Sequence, residues 1–573
     1  MTPATYESTR VRRTVNSMLW AAWADALGFI TELTDDVGLR RRLSGKPLVE
    51  PVEWKRRVGG RFGVEVALPA GCYSDDTQLR LATSRSIQNR GFDIEAFTQV
   101  EMTVWPSYAL GGGRASKAAA VNLARPGVPW FGNFYDGWEN SGGNGVAMRI
   151  QPHIWAAPQP AILGPHILDV LINAIATHGH PRALVGAVLH AVALGVTLHE
   201  GHVPGPERWP ELLHMCEQSV KLVDDHSQLS TVWRPQWERT VGSSFSEAWH
   251  QTIRECRVVL PELSHAVVQL KSKIDLPLKD QAQLYDTITE ILKLRDPSHR
   301  GSGITTVLAA MAIAAAFPDP ARAALLSANA LGTDTDTIAT MAGALIGATD
   351  AVEAPDPEHV LDSSYLIAEA RKLAEIASGK TTKTFSYPDL LHWSPPRTQL
   401  DAVGTVEGRP ALAGLSWLEP LEGTDSPEKK DAVWSWVHSD FGASFLAKHR
   451  PRLRELPTGN RPVRRVRNLS EAQSEIEQLP LASSEETRPT EVSRSPNLKR
   501  STIAAGRADI RDDKLPSESV DVDQMLKWVA HENFSDRAVG YAVKRIAALG
   551  TVEQLTAFTS TLRYALRSRR HRS

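Results

Sequence analysis

The amino-acid sequence predicts an all-α body over residues 1–380, followed by a small β-rich module and a C-terminal helical segment. Two features of the first 380 residues predict the helical class. Runs rich in alanine recur there with helical spacing, and no strong alternation of apolar and polar residues marks strands. Because 573 residues exceed what one hydrophobic core usually serves, the change of texture near residue 383 predicts more than one domain.

Eight runs in the body predict helices, and clusters of glycine and proline separate them. The runs cover residues 17–27, 77–88, 167–177, 183–196, 304–317, 321–330, 337–346 and 364–378. Residues 200–300 are predicted to form a helical elaboration, because the stretches 210–224 and 281–294 are amphipathic. A short hairpin is predicted near residues 58–68.

A small β-rich module is predicted at residues 383–450. Short runs of β-branched or aromatic residues separated by turns are typical of strands. These runs cover residues 384–388, 399–406, 411–421 and 432–441. In the last run Trp434 and Trp436 alternate with other residues, which favours one face of a strand over a platform for stacking bases.

Two further segments are predicted beyond the β-rich module. Residues 455–517 are rich in Arg, Ser, Pro, Glu and Thr and poor in aromatic residues, a composition typical of flexible linkers. Residues 518–573 return to helical spacing and predict a small helical domain with a basic tail. Its helical runs cover residues 522–531, 536–549 and 552–568.

The charged residues are distributed unevenly. The whole chain has 64 Lys+Arg and 66 Asp+Glu, a formal net charge of -2. Residues 451–573 hold 22 basic and 16 acidic side chains, whereas residues 1–450 hold 42 basic and 50 acidic side chains. An acidic body joined to a basic appendage predicts different tasks for the two parts.

Cysteine content and apolar run lengths predict a cytoplasmic protein. Three cysteines in 573 residues exclude a disulfide framework. The apolar run at residues 18–30 contains Asp25 and no small-residue cleavage site follows, so it predicts a folded helix instead of a signal peptide. The apolar run at residues 304–317 is shorter than the roughly 20 residues of a bilayer span, so no transmembrane helix is expected.

The first acidic segment is Ser74-Asp75-Asp76, at the predicted start of a helix. A helix N-terminus favours negative charge through its free N–H groups and its dipole. Two adjacent carboxylates repel each other, and a bound hard cation relieves that repulsion. A simple helix cap is the alternative interpretation.

Two more acidic segments complete the candidate site. Asp334 and Asp336 alternate with threonines and Thr337 adds a hydroxyl, a set of oxygen donors that suits Mg²⁺, Mn²⁺ or Ca²⁺. An EF-hand is excluded, because an alanine-rich helix follows in place of further ligands. In the third segment Asp25 lies in an apolar helix that Gly28 is expected to end, and Glu32 follows. Helix capping is again the alternative.

Taken together, the three segments resemble the motifs of the ADP-ribosylglycohydrolase family. They occur in the family's order as Ala-Asp-Ala-Leu-Gly-Phe-Ile-Thr-Glu (24–32), Ser-Asp-Asp-Thr (74–77) and Gly-Thr-Asp-Thr-Asp-Thr-Ile-Ala (332–339). Residues 143–152, which begin Gly-Asn-Gly, and residues 177–181, Thr-His-Gly-His-Pro, also resemble family motifs. The resemblance covers residues 12–380, and five ordered motifs make a chance similarity improbable.

The resemblance implies an all-helical fold with two Mg²⁺ or Mn²⁺ ions at the bottom of a cleft. It also implies a hydrolase that cleaves the glycosidic bond between ADP-ribose and an acceptor, such as a protein arginine or serine or a related conjugate. The implied metal ligands are Ser74, Asp75, Asp76, Asp334, Asp336 and Thr337. The implied catalytic residues are Glu32, Asp75, Asp76 and Asp336. The implied substrate-binding residues are Gly143, Asn144, Gly145, Met148 and His178.

The sequence departs from the family pattern at three positions. Ala24 and Thr333 replace glycines, and both replacements leave every oxygen ligand in place. Gly142 stands where the family has a tyrosine that stacks on adenine. Tyr135 and Trp138 are the candidates to take over that contact.

Basic clusters outside the resemblance leave alternative functions open. One lies at 448–467 (Lys448, Arg450, Arg452, Arg454, Arg461, Arg464, Arg465 and Arg467) and one at 563–572 (Arg563, Arg567, Arg569, Arg570 and Arg572). They predict either solvated, flexible segments or attraction to nucleic acid or another acidic partner. A catalytically weak ADP-ribose-binding or scaffold protein, and a nucleic-acid-associated protein, are the alternatives to the enzyme.

Overall fold

The structure, a computed structural model, describes residues 3–60, 62–463, 521–532, 534 and 536–570. The chain forms two compact units, residues 1–463 and residues 464–573, which are described separately. The predicted linker at 455–517 lies outside the described residues from 464 onward. The same holds for Arg464, Arg465, Arg467 and Arg572.

The predicted fold class is confirmed: helices dominate residues 3–377, and a small sheet follows. Short π-helical and 3-10 turns lie between some of the helices. The α-helices of the first unit are α1 (Pro3–Thr31), α2 (Asp36–Arg42), α3 (Asp75–Ser86), α4 (Ile94–Ala96), α5 (Met102–Val104), α6 (Arg114–Leu123), α7 (Gln151–Trp155), α8 (Pro165–Ile175), α9 (Pro181–Glu200), α10 (Trp209–Gln218), α11 (Lys221–Asp225), α12 (Arg234–Val241), α13 (Phe245–Lys271), α14 (Leu278–Ile291), α15 (Gly303–Ala316), α16 (Pro320–Asn329), α17 (Thr335–Gly347) and α18 (Ser363–Ala377).

Helices α1 and α17 pack closely at the centre of the body because small residues line their contact. A Cβ atom at Gly347 would lie 2.7 Å from the carbonyl oxygen of Asn16, so only glycine fits there. The Ser17 hydroxyl donates to the carbonyl oxygen of Ala344 at 2.6 Å, and the Thr340 hydroxyl donates to that of Ala21 at 2.7 Å. The two helices run antiparallel, so the same packing places the start of α17 at the end of α1.

Gly28 does not end α1, contrary to the prediction. The helix continues to Thr31, and Gly28 lies inside it. A Cβ atom at this position would lie 2.6 Å from the carbonyl oxygen of Thr335 and closer still to Asp336 Cα. Glycine is therefore required here for a close approach of two backbones, and not for a helix terminus.

Helix α9 is long and apolar enough to cross a membrane, which the sequence analysis did not anticipate. It spans Pro181–Glu200, and 94% of its apolar window is buried inside the protein. It contacts α8, α10, α13 and α15, so its apolar side chains form part of the core.

Strands β1 (Trp54–Val58) and β2 (Val64–Leu68) form an antiparallel hairpin that starts four residues before the predicted one. The two-residue strands β3 (Ile87–Gln88) and β4 (Gly91–Phe92) pair with each other in the helical body. The later strands are β5 (Val403–Val406), β6 (Arg409–Leu412), β7 (Ser416–Pro420), β8 (Glu428–Lys429), β9 (Ala432–Ser439) and β10 (Ser444–His449). They form one antiparallel sheet in the order β10-β9-β7-β6-β5, with β8 paired to β9.

The first strand predicted for the β-rich module, at residues 384–388, is wrong. These residues have no regular structure, and their aromatic side chains anchor the segment to the helical body. The rings of Phe385 and Tyr387 contact each other, and the Tyr387 hydroxyl donates to Glu101 at 2.7 Å. The run predicted at 411–421 is two strands, because a turn at Gly414, with φ of 68°, divides it.

The described residues of the second unit form three helices where the sequence predicts them. Helices α19 (Val522–His531), α20 (Asp536–Leu549) and α21 (Val552–Arg570) enclose a small core of their own. Its buried residues include Met525, Val529, Ile546 and Phe558.

Candidate active site

A cleft of about 1650 Å³ in the first unit is lined by nearly all of the predicted site residues. The ends of α1, α3 and α17 contribute the carboxylates that line it. Ser74 is the exception: it does not line the cleft and is fully buried directly before Asp75. The lining residues with predicted roles are Glu32, Asp75, Asp76, Gly143, Asn144, Gly145, Met148, His178, Asp334, Asp336 and Thr337.

Asp25 fixes the start of α3. Its carboxylate is completely buried and accepts hydrogen bonds from the backbone N–H groups of Ser74, at 3.0 Å, and Thr77, at 2.9 Å. The Thr77 hydroxyl donates to the same carboxylate at 2.6 Å. The Ser74 hydroxyl in turn caps the helix by accepting from the N–H of Asp76 at 3.1 Å. Asp25 therefore supports the candidate ligands from behind and does not line the cleft.

Asp75 and Asp76 are carboxylates under strong mutual repulsion. Burial, with the charges of Glu32 and Asp25, raises the pKa of Asp75 to about 7, although the N–H of Gly112 donates to it at 2.6 Å. Burial and the charges of Asp25, Asp75 and Asp334 raise the pKa of Asp76 well above its ordinary value. The Asp76 Oδ2 atom is buried and has no hydrogen-bond partner among the described residues.

The start of α17 supplies the second carboxylate pair. Asp334 Oδ2 accepts from the Asn144 amide at 3.0 Å, which ties this pair to the Gly-Asn-Gly loop. Burial and the charges of Glu32 and Asp76 raise the pKa of Asp336. These shared effects show that the carboxylates of α1, α3 and α17, far apart in sequence, lie close together.

The donor set fits hard divalent cations. An unpartnered buried carboxylate oxygen and raised carboxylate pKa values both mean that positive charge is favourable at this place. Among the described residues, no three His, Cys, Asp or Glu side chains are grouped to hold one ion by themselves. The predicted sets differ from such a group, because each combines two carboxylates with one hydroxyl, of Ser74 or Thr337. Oxygen donors of this kind suit Mg²⁺ and Mn²⁺.

Arg80 is a buried cation that the sequence analysis missed. It is completely buried and donates to the hydroxyls of Thr77, at 3.1 Å, and Thr340, at 2.6 Å, and to the carbonyl oxygen of Met148 at 3.1 Å. Its charge partly offsets those of Asp25 and Asp76. A single arginine between two leucines in a predicted helix was the available signal.

Glu32 is held at the cleft by Arg56 of the β1–β2 hairpin. The guanidinium lies 3.0 Å from the Glu32 carboxylate and 4.1 Å above the ring of Phe29. Arg56 is the second residue that the sequence analysis missed, because no local pattern links it to Glu32, which directly follows α1. The ion pair orients a carboxylate that is partly exposed to the cleft.

The Gly-Asn-Gly loop is fixed from both sides. The N–H of Asn144 donates to the carbonyl oxygen of Gly301 at 2.9 Å. Buried Arg149 donates to the carbonyl oxygen of Gly145 at 3.1 Å and to the Thr177 hydroxyl at 2.8 Å. Thr177 also forms a hydrogen bond with the ring of His178. Burial lowers the pKa of His178 to about 3, so this histidine is neutral at pH 7. The loop and His178 thus form a preformed, rigid part of the cleft.

The structure separates the two candidates for adenine stacking. Trp138 packs against Phe134 and Trp233 and does not line the cleft, so it belongs to the core. Tyr135 lines the cleft, but it is only 8% exposed, and its hydroxyl donates to the carbonyl oxygen of Thr177 at 2.7 Å. Trp138 is therefore excluded as a stacking residue.

A sequence model of the family described as ADP-ribosylglycohydrolase matches residues 6–384, more than half of the chain. The chain belongs to the ADP-ribosylglycohydrolase family. A solved structure described as an ADP-ribosylglycohydrolase-related protein complex is 20% identical, covers 65% of this chain and 99% of its own, and has a TM-score of 0.40. Curated protein sequences give no match. The family supports hydrolysis of ADP-ribose conjugates in general.

In this member of the ADP-ribosylglycohydrolase family the β-rich module forms part of the cleft wall. Pro396–Gln399, Trp434, Leu446 and Lys448 line the cleft beside the β1–β2 hairpin. The sheet is attached to the helical body: the Trp436 ring N–H donates to the carbonyl oxygen of Ala67 at 3.1 Å, and the rings of Tyr108 and Phe445 lie 4.5 Å apart. These module residues lie beyond residue 384, where the family match ends.

Proposed function

We propose that this protein is a Mg²⁺- or Mn²⁺-dependent hydrolase that releases ADP-ribose from a protein side chain such as arginine or serine. The observation that carries the proposal is the convergence of carboxylates from α1, α3 and α17 around the unpartnered Asp76 Oδ2. Carboxylates in that arrangement destabilise the fold, so their presence together indicates a functional site.

Two ions, held by Ser74, Asp75 and Asp76 and by Asp334, Asp336 and Thr337, would supply positive charge for the ribose hydroxyls and for an activated water. The protein supplies the rest of the reaction. Glu32, oriented by Arg56, accepts the proton of the attacking water. Asn144 and the rigid loop around it hold the ADP-ribose.

The reaction is a hydrolysis at the anomeric carbon of the ribose. The bond from that carbon to the acceptor nitrogen or oxygen breaks, and the water oxygen bonds to the carbon. One water proton goes to Glu32 and passes from there, through solvent, to the leaving acceptor, so that Glu32 is again a carboxylate and charge and atoms balance. Because the transition state carries positive charge on the ribose, the neutral state of His178 avoids repulsion beside it.

The test measures free ADP-ribose released by the full chain from ADP-ribosylated arginine and serine peptides. Release is expected with Mg²⁺ or Mn²⁺ and not with EDTA. Asp75→Asn and Asp336→Asn should each lower the rate at least a hundredfold. Asp136→Asn is the matched control, because Asp136 is an exposed carboxylate that lines the same cleft outside the two ligand sets.

Two results contradict the proposal. One is full activity in both ligand variants, and the other is equal release with Mg²⁺ and with EDTA. A protein that binds ADP-ribose and releases none from either peptide would favour the binding or scaffold alternative.

A further inference from the structure

The candidate active site has two different ends. On one side, the proposed ADP-ribose side, Asp334 accepts a hydrogen bond from Asn144 of the Gly-Asn-Gly loop. On the other side Glu32 forms a salt bridge with Arg56 of the β1–β2 hairpin, and the hairpin lines the cleft beside the β-rich module. Because the acceptor leaves from the anomeric carbon away from the ADP portion, the acceptor lies on the hairpin and module side.

Lys448 is held on the module side of the cleft by a defined set of contacts. Its ammonium lies 5.2 Å from the centre of the Trp434 ring, and Trp434 packs beneath Gly59 of the hairpin. With the Gln399 amide oxygen turned toward it, Lys448 donates to that oxygen at 2.9 Å, while the amide nitrogen donates to the carbonyl oxygen of Pro106 at 3.1 Å. Lys448 is thus positioned by neutral groups.

The charges of Lys448 and Arg397 are not compensated by a salt bridge within the described residues. No carboxylate there forms a salt bridge with Lys448 or with exposed Arg397, although both line the cleft. Arg56 uses one nitrogen for Glu32, while its buried Nη1 has no hydrogen-bond partner among those residues. Two cations without a salt bridge among the described residues, Lys448 and Arg397, therefore line the acceptor side beyond the acidic centre, and they repel a cationic group there.

We propose that Lys448 and Arg397 of the β-rich module form an acceptor subsite that selects ADP-ribosylated peptides with acidic residues beside the modified side chain. The inference rests on the proposed hydrolase function. Carboxylates of such a peptide pair with the cations of the wall, whereas basic flanking residues are repelled. The module thus sets the preference for substrates, and the helical body performs the hydrolysis.

An acidic peptide fits this wall better than a nucleic-acid strand does. Single strands are bound by exposed aromatic rings on which bases stack, in addition to cations. The aromatic residues that line the cleft are Tyr108, Tyr135 and Trp434, and each is at most 8% exposed. The wall offers charge without a stacking surface.

The experiment compares kcat/KM for three ADP-ribosylated peptides that differ only in acidic, alanine or basic flanking residues. The wild-type full chain is expected to prefer the acidic peptide over the basic one by at least tenfold at low salt, and less at high salt. The Lys448→Met, Arg397→Gln double variant should lose roughly tenfold of that preference. Methionine preserves the packing on Trp434 while it removes the charge.

Two controls separate the subsite from the reaction itself. Arg452→Gln removes an exposed arginine of the same unit that does not line the cleft, and it should preserve the preference. A single ADP-ribosylated amino acid without flanking residues should be cleaved equally by the wild type and the double variant. If no substrate releases ADP-ribose, the proposed function fails as well as the inference.

Three results overturn the subsite alone. The first is normal cleavage with equal kcat/KM for acidic and basic peptides. The second is a preference for the acidic peptide that the double variant retains. The third is faster release from a phosphate-linked ADP-ribosyl oligonucleotide than from any peptide, which would assign the cationic wall to nucleic acid.

Discussion

Replacing Gly28 by alanine should disturb the active site through backbone packing alone. The added Cβ atom would lie 2.6 Å from the carbonyl oxygen of Thr335 and 2.7 Å from the N–H nitrogen of Asp336. Ordinary contacts of carbon are about 3.5–4.0 Å, so the overlap is about 1 Å. Both neighbours are backbone atoms, and no rotamer change can relieve the overlap. Helices α1 and α17 must therefore separate, and with them Glu32 and Asp336.

The expected loss in free energy of unfolding is about 3 kcal/mol, the upper end for overpacking of a core by one methyl group. The intrinsic gain of alanine over glycine in a helix, about 1 kcal/mol, offsets only part of the strain. Thermal unfolding should show a Tm lower by several degrees. ADP-ribose release at saturating Mg²⁺ should fall more than tenfold, because Glu32 and Asp336 are no longer held in their relative positions in the cleft.

The control is Gly540→Ala in α20, where an added Cβ atom has no neighbour within 4 Å. Its Tm should be unchanged or slightly higher. The explanation from backbone packing is refuted if Gly28→Ala unfolds at the wild-type temperature and retains full activity.

Two more predictions follow from the buried carboxylates. Burial raises the pKa of Asp75 from 3.8 to about 7 in the folded state, so its stabilising contribution is present below about pH 4 and is lost as the pH rises to about 7. In EDTA, the free energy of unfolding measured in urea should therefore fall for the wild type relative to Asp75→Asn as the pH rises over that range. The fall should be on the order of 1.4 kcal/mol per pH unit. Parallel pH curves for the two proteins would contradict this. Asp25→Asn should lower the free energy of unfolding by about 2 kcal/mol, because an amide nitrogen cannot accept from Ser74 or Thr77. Calorimetry should also show weaker Mg²⁺ binding, and unchanged binding would mean that Asp25 does not position α3.

Most of the helical body could be predicted because its signals are local. Apolar periodicity located the central helices, and Ser74 with two aspartates marked the start of α3. Gly28 misled the prediction, because a glycine that ends a helix and a glycine that admits another backbone look the same in sequence. The segment at 384–388, which has no regular structure, was wrongly predicted to be a strand. Phe385 and Tyr387 alternate with other residues as in a strand, but tertiary contacts fix them.

The candidate site could be predicted only where its residues form short motifs. Glu32, Asp75 and Asp336 belong to such motifs, and the structure brings them to one cleft. Arg56 pairs with Glu32, and Arg80 donates to Met148 and Thr340, so the residues beside these arginines do not identify those distant partners. The same reason hid Lys448, which seemed part of a basic run until the sheet placed it on the cleft wall.

The packing of the body and the charge of its site depend on each other. Close contact between α1 and α17 needs glycine and small side chains, and that contact brings Glu32 and Asp336 near the acids of α3. Hydrogen bonds from Ser74 and Thr77 stabilise Asp25, but no such bond reaches Asp76 Oδ2. The fold therefore satisfies the supporting carboxylate internally, whereas the facing carboxylate is the one that we propose binds a divalent cation. A protein that only needed a stable core would have no reason to keep that difference.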